Sequence, residues 1–176
     1  MYDEEGGRWK ARERETGAGW IYDKEPELIE ESTLGKSETT GDCIFFCGTL
    51  LPQYVPSEMR GVVAPLRFLE EGSVRGMLYD FGEYPGAILD ETSDKRVYGA
   101  VFQLPGGSRI LDELDRYEGY DPANFGSCLF VRRRCPVEVS DGSVIECWVY
   151  EYNGNPQGVP IIASGRYRKD DAGVGV

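Results

Sequence analysis

The chain has 176 residues, 40% of them hydrophobic and 12% aromatic, enough for one domain with a real core. Its formal net charge of -12 repels phosphate backbones and excludes nucleic acid as an expected partner. It contains no histidine. Ser-His-Asp and Cys-His catalytic groups and histidine-ligated metals are therefore excluded, and acid–base chemistry must fall to a carboxylate, Tyr, Lys or Cys.

Residues 1–41 hold eleven Asp/Glu and six Lys/Arg and show no sustained apolar period. Such a segment buries too little surface to offset its ordering entropy, so an acidic, disordered tail is expected. A short helix at residues 26–31 is compatible with Pro26 at its first position. The start of the chain lacks the basic and apolar pattern of a signal peptide, and no apolar stretch is long enough for a membrane helix. The five cysteines form no C-x-x-C pair, which predicts free thiols, no zinc site and a reducing, cytoplasmic setting.

A domain is predicted over residues 42–169, followed by a flexible end at 170–176. Cys43-Ile44-Phe45-Phe46-Cys47 is a continuous apolar run, as in a strand buried on both faces. It stops at Gly48-Thr49-Leu50, where free backbone N–H groups at a sheet edge can hold an anion such as a carboxylate. Residues 57–66 suggest a short helix. Residues 67–70 and 74–80 read as paired strands around Glu71-Gly72-Ser73. Phe81 to Gly86 is a loop with a Pro85-Gly86 turn signal. Short strands follow at 87–89 and 97–104.

Residues 108–118 form the clearest helix. Ser108 is a candidate N-cap, and Gly119 suits the left-handed C-terminal position. Leu111, Leu114 and Glu118 share one face, so the leucines turn inward and carry Glu118 with them. A carboxylate aimed at a core must be hydrated, paired or used. Asp115 is read as bracing a local loop.

Strand segments at 128–134 and 137–139 are interrupted by Pro136. A Ser140-Asp141-Gly142 turn leads into a return strand at 143–152. Its alternation puts Trp148, Tyr150 and Tyr152 on one face and Cys147, Val149 and Glu151 on the other. Arg132-Arg133-Arg134 is read as a solvated surface with one arginine pairing an acid. Six or seven strands, one or two helices and no regular βαβ alternation predict an α+β fold built on a small mixed β-barrel.

Three stretches carry a resemblance. Phe46-Cys47-Gly48-Thr49-Leu50 resembles the aromatic-Gly-Ser/Thr-Leu loop of the γ-glutamylcyclotransferase-like superfamily. Gly76-Met77-Leu78-Tyr79-Asp80-Phe81-Gly82-Glu83-Tyr84-Pro85-Gly86 is similar to its Gly-x-Leu-Tyr-Asp-Leu-Gly-x-Tyr-Pro-Gly. Leu114-Asp115-Arg116-Tyr117-Glu118-Gly119-Tyr120 is similar to its Leu-Asp-x-Tyr-Glu-Gly-Tyr helix end. The γ-glutamylamine cyclotransferase-like branch is the nearest in pattern.

The resemblance implies a small mixed barrel with a cavity. It implies conversion of a γ-glutamyl amide to 5-oxoproline and a free amine, with no cofactor or metal. Cys47, Gly48, Thr49 and Leu50 would bind the glutamyl group, and Glu118 would be the catalytic base. Tyr84, Gly86 and Tyr152 are further candidates for the pocket. Cys47 departs from the family's usual tyrosine, which keeps open a non-catalytic protein of the same fold that binds a γ-glutamyl or amino-acid-like ligand. The expected partner is a small molecule, and a monomer is compatible with the pattern.

Overall fold

The computed structural model describes the backbone of residues 7–13 and 20–25 and the whole of residues 41–169. The chain divides into two compact units, residues 1–38 and 39–176. In the first, β1 (Gly7–Glu13) and β2 (Trp20–Glu25) pair antiparallel, with Ala11 opposite Tyr22 and Glu13 opposite Trp20. Composition predicts disorder here. It averages over short runs of strong strand formers such as Trp20-Ile21-Tyr22, whose local preference is for pairing. The helix expected at 26–31 and the flexible end at 170–176 lie outside the described residues.

The second unit holds β3 (Cys43–Phe46), β4 (Arg67–Asp80), β5 (Pro85–Leu89), β6 (Arg96–Gln103), β7 (Phe130–Val139) and β8 (Val144–Tyr152). The sheet runs β5-β4-β6-β3-β8-β7, and a further β4–β7 pairing closes it. The result is a five-stranded barrel with β5 as an extra strand on β4. All neighbours are antiparallel except β3 and β8, which run parallel. This is the mixed barrel that the sequence predicts.

β4 corrects one expectation. Residues 67–80 form a single 14-residue strand rather than a hairpin around Gly72. Gly72 sits where β7 comes in to close the barrel, opposite Val139. A Cβ there would lie 2.7 Å from Val137 Cγ1 and 3.1 Å from the Glu138 carbonyl oxygen. The glycine is required by close approach, not by a turn. β7 likewise runs through Pro136, which faces Glu146 on β8. Its other edge pairs with β4 only at residues 138 and 139, so the missing N–H breaks no ladder bond there.

Two cores follow from the strand alternation. Cys43, Phe45, Val74, Leu78, Val97, Val101, Val137, Cys147 and Val149 fill the barrel interior. Ile44, Phe46, Ala100, Phe102 and Tyr150 face outward and are covered by Leu50, Met59, Ile110 and Leu114. β3 is therefore buried on both faces along its whole length, as its apolar run requires.

The outer layer is helical. A 3-10 turn, Ser57–Met59, runs into α1 (Arg60–Val63). α2 (Ile110–Glu118) connects β6 to β7. Its cap position is Arg109, with no side-chain cap, rather than Ser108. Nine residues are too few to hold a helix in water alone. Burial of Ile110 and Leu114, each contributing about 2 kcal/mol, anchors it instead. Gly119 ends it at φ 70°, as expected of a left-handed C-terminal glycine. Among the described residues no helix is long and apolar enough to cross a membrane.

Candidate active site

The end of α2, the loop after β3 and the start of β5 converge on one side of the barrel. Between them lies a pocket of about 310 Å³. Cys47, Gly48, Thr49 and Leu50 form one wall, and Tyr84 with Pro85 forms another. Tyr117 and Glu118 enter from α2, while Phe130 and Tyr150 come from β7 and β8.

Glu118 is carried into this pocket because Leu114, one turn earlier, is fully buried and fixes the rotation of the helix. Among the described residues no cation or hydrogen-bond donor pairs with its carboxylate. Burial alone raises its pKa from 4.5 to about 7. The carbonyl-rich C-terminus of α2 disfavours a negative charge in the same sense. The carboxyl is thus poised to take up and release a proton near neutral pH.

The loop at 47–50 is shaped by what surrounds it. Gly48 meets the start of β5 so closely that a Cβ would lie 2.8 Å from Pro85 Cγ. Leu51 N–H donates to the Gly48 carbonyl at 3.1 Å, closing a turn. The N–H groups of Gly48, Thr49 and Leu50 have no acceptor among the described residues. Such a cluster of free donors suits a carboxylate. The Cys47 thiol is pushed up to about 12, first by burial and then by the charge of Glu118 and by Cys135. It is a neutral thiol, not a nucleophile.

Tyrosines complete the pocket. The Tyr150 hydroxyl donates to Asp115 Oδ1 at 2.7 Å. Burial, that bond and the charge of Asp115 all raise its pKa, so it stays a neutral donor. Asp115 Oδ2 lies 3.0 Å from Arg132 Nη1, and the Arg132 guanidinium rests 4.7 Å from the Trp148 ring centroid. Asp115 therefore braces a pocket wall rather than a loop. Tyr117 stands against Thr49, with its pKa raised by burial and by Glu118. Among the described residues no group of three or more Cys, Asp or Glu is arranged to hold a metal ion.

Of the residues singled out in the sequence, Cys47, Gly48, Thr49, Leu50, Tyr84 and Glu118 are brought together. Gly86 and Tyr152 are not in the lining. A Cβ on Gly86 would fall 2.7 Å from Phe81 Cε2 and 3.1 Å from Tyr152 Cβ. Tyr152 lies 4.4 Å from the Phe81 ring and 5.9 Å from that of Phe130. Both residues build the aromatic backing that holds Tyr84, itself stacked on Phe81 at 5.5 Å. Tyr150 and Tyr152 share a strand face, and the alternation alone does not say which of them reaches the pocket. Tyr117 was signalled only by its place beside Glu118. Phe130 had no local signal at all. The arginine run also differs from expectation: all three are paired, Arg132 with Asp115, Arg133 with Glu151 and Arg134 with Asp42.

The model of the family described as "Gamma-glutamyl cyclotransferase, AIG2-like" matches residues 44–169. The chain belongs to this family. The match takes in α2 and all of the barrel except Cys43, the first residue of β3. No curated protein matches the sequence. Among solved structures, an AIG2-like protein from Mus musculus is 19% identical, with a TM-score of 0.58, over 72% of this chain and 88% of that one. YkqA from Bacillus subtilis is 18% identical, with a TM-score of 0.53, over 72% of this chain but only 39% of its own. The uropathogenic E. coli protein c4763 is 20% identical, with a TM-score of 0.50, over 76% and 98%. At these identities the likeness establishes a shared fold.

Proposed function

We propose that this chain converts a γ-glutamyl amide to 5-oxoproline and a free amine, with Glu118 as the single general acid/base and no cofactor. The observation that carries this reading is an unpaired carboxyl in a pocket, with a pKa of about 7, beside a loop with free N–H groups. The family match supports it. Five free thiols suit a reducing, cytoplasmic setting.

The substrate's α-carboxylate would be held by the N–H groups of Gly48 to Leu50. This places the α-ammonium against Glu118 and within reach of the γ-carbonyl. Glu118 takes one ammonium proton, and the freed nitrogen attacks the γ-carbon. The new C–N bond closes the five-membered lactam. The bond to the original amide nitrogen breaks as Glu118 returns its proton to that nitrogen, and the ring nitrogen then passes its second proton through Glu118 to the departing amine, which leaves as an ammonium ion. Charge and protons balance without a metal, thiol or second base. Holding both ends of the reaction together supplies much of the rate, and proton transfer contributes about 10²–10⁴-fold.

Cys47, where the family pattern has a tyrosine, favours a second reading: a protein that binds a γ-glutamyl ligand without turning it over. Measuring 5-oxoproline release from a panel of γ-glutamyl amides by wild type and Glu118→Gln decides between them. Release by wild type alone supports the reaction and the base. Ligand binding without release by either protein supports the second reading. Equal release by both means that another residue is the base.

A further inference from the structure

Arg132, Asp115 and Tyr150 form a chain of contacts that ends at the pocket wall. The Arg132 guanidinium rests 4.7 Å from the Trp148 ring centroid and meets Asp115 Oδ2 at 3.0 Å. The other carboxylate oxygen, Oδ1, accepts the Tyr150 hydroxyl at 2.7 Å. The three side chains come from β7, α2 and β8, so only the closed barrel assembles them. Asp115 is held at both oxygens and cannot turn away from Tyr150.

The direction of that last bond sets what Tyr150 can offer a ligand. A carboxylate only accepts, so the single proton of the phenol is committed to Asp115. What the oxygen keeps is lone-pair density. Tyr150 lines the pocket, and its hydroxyl is close enough to Glu118 to feel that charge. At 8% exposure it meets little competition from water. Tyr84 and Tyr117 line the same pocket, but among the described residues neither hydroxyl is fixed by a carboxylate. Tyr117 pairs with the Thr49 side chain, where either hydroxyl can give the proton. One end of the pocket therefore holds two acceptors, Glu118 and Tyr150. An ammonium group, which only donates, fits such a pair.

We infer, resting on the cyclotransferase reading, that Tyr150 is the second acceptor for the substrate's α-ammonium. Asp115 is then a positioning residue, which keeps the Tyr150 proton out of the pocket. An amine attacks through its lone pair, so its remaining N–H bonds must point away from the γ-carbon. Glu118 takes one proton, and Tyr150 holds a second N–H, which leaves the freed lone pair facing the carbonyl. Tyr150 itself neither gains nor loses a proton.

The test compares two ligands that differ only in the α-ammonium: γ-glutamylbutylamide and the monobutylamide of glutaric acid. Dissociation constants are measured by calorimetry on full-length Glu118→Gln, so the readout does not depend on turnover. Adding Tyr150→Phe should lower the ratio of amine-bearing to deamino affinity by about tenfold or more, the usual weight of a hydrogen bond to a charged group. The deamino ligand alone should change by less than about threefold. Asp115→Asn keeps the shape and every atom of Tyr150. Arg132 can only donate, so the amide oxygen of the variant turns to Arg132 and its NH₂ to Tyr150. The phenol proton then points into the pocket, and the ratio should fall at least as far as in Tyr150→Phe. Both ligands see the same folded fraction, so the ratio is insensitive to partial unfolding. An unchanged ratio, equal weakening of both ligands, or failure of both to bind overturns the proposal. The butylamide is then offered to wild type. Absence of 5-oxoproline, with the ratios falling as stated, overturns the cyclotransferase reading and leaves the ammonium site standing. Release of 5-oxoproline with unchanged ratios keeps that reading and removes Tyr150 from it.

Discussion

The barrel holds two openings of similar size, each with a glutamate that its strand or helix turns inward. One is the pocket around Glu118. The other, about 360 Å³, lies between β5 and β7 around Glu151. Glu151 is 8% exposed, and both of its oxygens are used. One accepts the Leu89 N–H at 2.9 Å and the other meets Arg133 Nε at 2.7 Å. The arginines lining that slot are engaged too, Arg96 with Glu138 and Ser73, and Arg75 with the Ser93 carbonyl. Its charges knit β5 to β7 and β8. Among the described residues Glu118 has no such partner. The lesson is that cavity volume does not mark a site. An unsatisfied ionisable group does, because only a group without a structural partner is free to exchange a proton with a ligand.

The comparison breaks first at activity. If Glu118 is the base, Glu118→Gln should lower kcat/KM for 5-oxoproline formation by about three orders of magnitude. Wild-type kcat/KM should rise with pH through about 7, the value to which burial lifts Glu118, since the base must be ionised to accept the ammonium proton. A stopped assay across pH 5–9 reads both. A flat profile in that range would remove Glu118 from proton transfer.

Stability separates the two acids with opposite signs. Burial disfavours the Glu118 carboxylate in the folded state. Below pH 4.5 it is protonated in folded and unfolded chains alike, and little is lost. Between 4.5 and about 7 the unfolded chain releases its proton first, so folding weakens as pH rises. Above 7 the penalty is complete. Glu118→Gln should therefore gain about 2–3 kcal/mol on wild type between pH 4.5 and pH 8, read by urea unfolding. A constant difference across that range would mean that the carboxyl is better solvated than its position implies. At the other opening, Glu151→Ala should destabilise by about 2 kcal/mol, mainly by leaving the partly buried Leu89 N–H without an acceptor. Arg133 is more than half exposed, so losing the ion pair itself adds little. Turnover should change far less than in Glu118→Gln.

Much of this arrangement was legible in the sequence where its cause was local. The doubly buried β3, the glycine that ends α2, the Asp-Gly turn and the inward rotation of Glu118 behind Leu114 all follow from periodicity and backbone preference. What was not legible depends on partners far along the chain. Gly72 looks like a turn residue until Val137 is seen to pass 2.7 Å from where its Cβ would be. Gly86 looks like a pocket residue until Phe81 and Tyr152 are found packed over it. Tyr150 and Tyr152 are equivalent by alternation, and only Asp115, 35 residues earlier, marks Tyr150 as the one at the pocket. Asp115 itself reads as a loop brace because its partners Arg132 and Tyr150 come from β7 and β8, far from α2 in sequence. The catalytic candidate was easier to find than its supports, since it sits on one short helix while they require the closed barrel.

The smallest expected effect concerns Cys47, the point where the chain departs from its family pattern. Its thiol lines the same pocket as Glu118 and invites a nucleophilic role. The two groups oppose each other, however. Burial of the thiol, and after it the charge of Glu118, push Cys47 up to about 12, leaving a thiolate fraction of about 10⁻⁵ at pH 7. No histidine exists to deprotonate it. Cys47→Ser should then change kcat/KM by about threefold or less, because the free backbone N–H groups of the 48–50 turn remain in place. A shift confined to KM would assign the side chain to pocket shape. A loss as large as that of Glu118→Gln would instead mean that the thiol forms an acyl intermediate. That intermediate should then be trapped in mass spectra of the wild-type protein as a glutamyl adduct on Cys47, and Glu118 would serve it rather than the substrate's own amine.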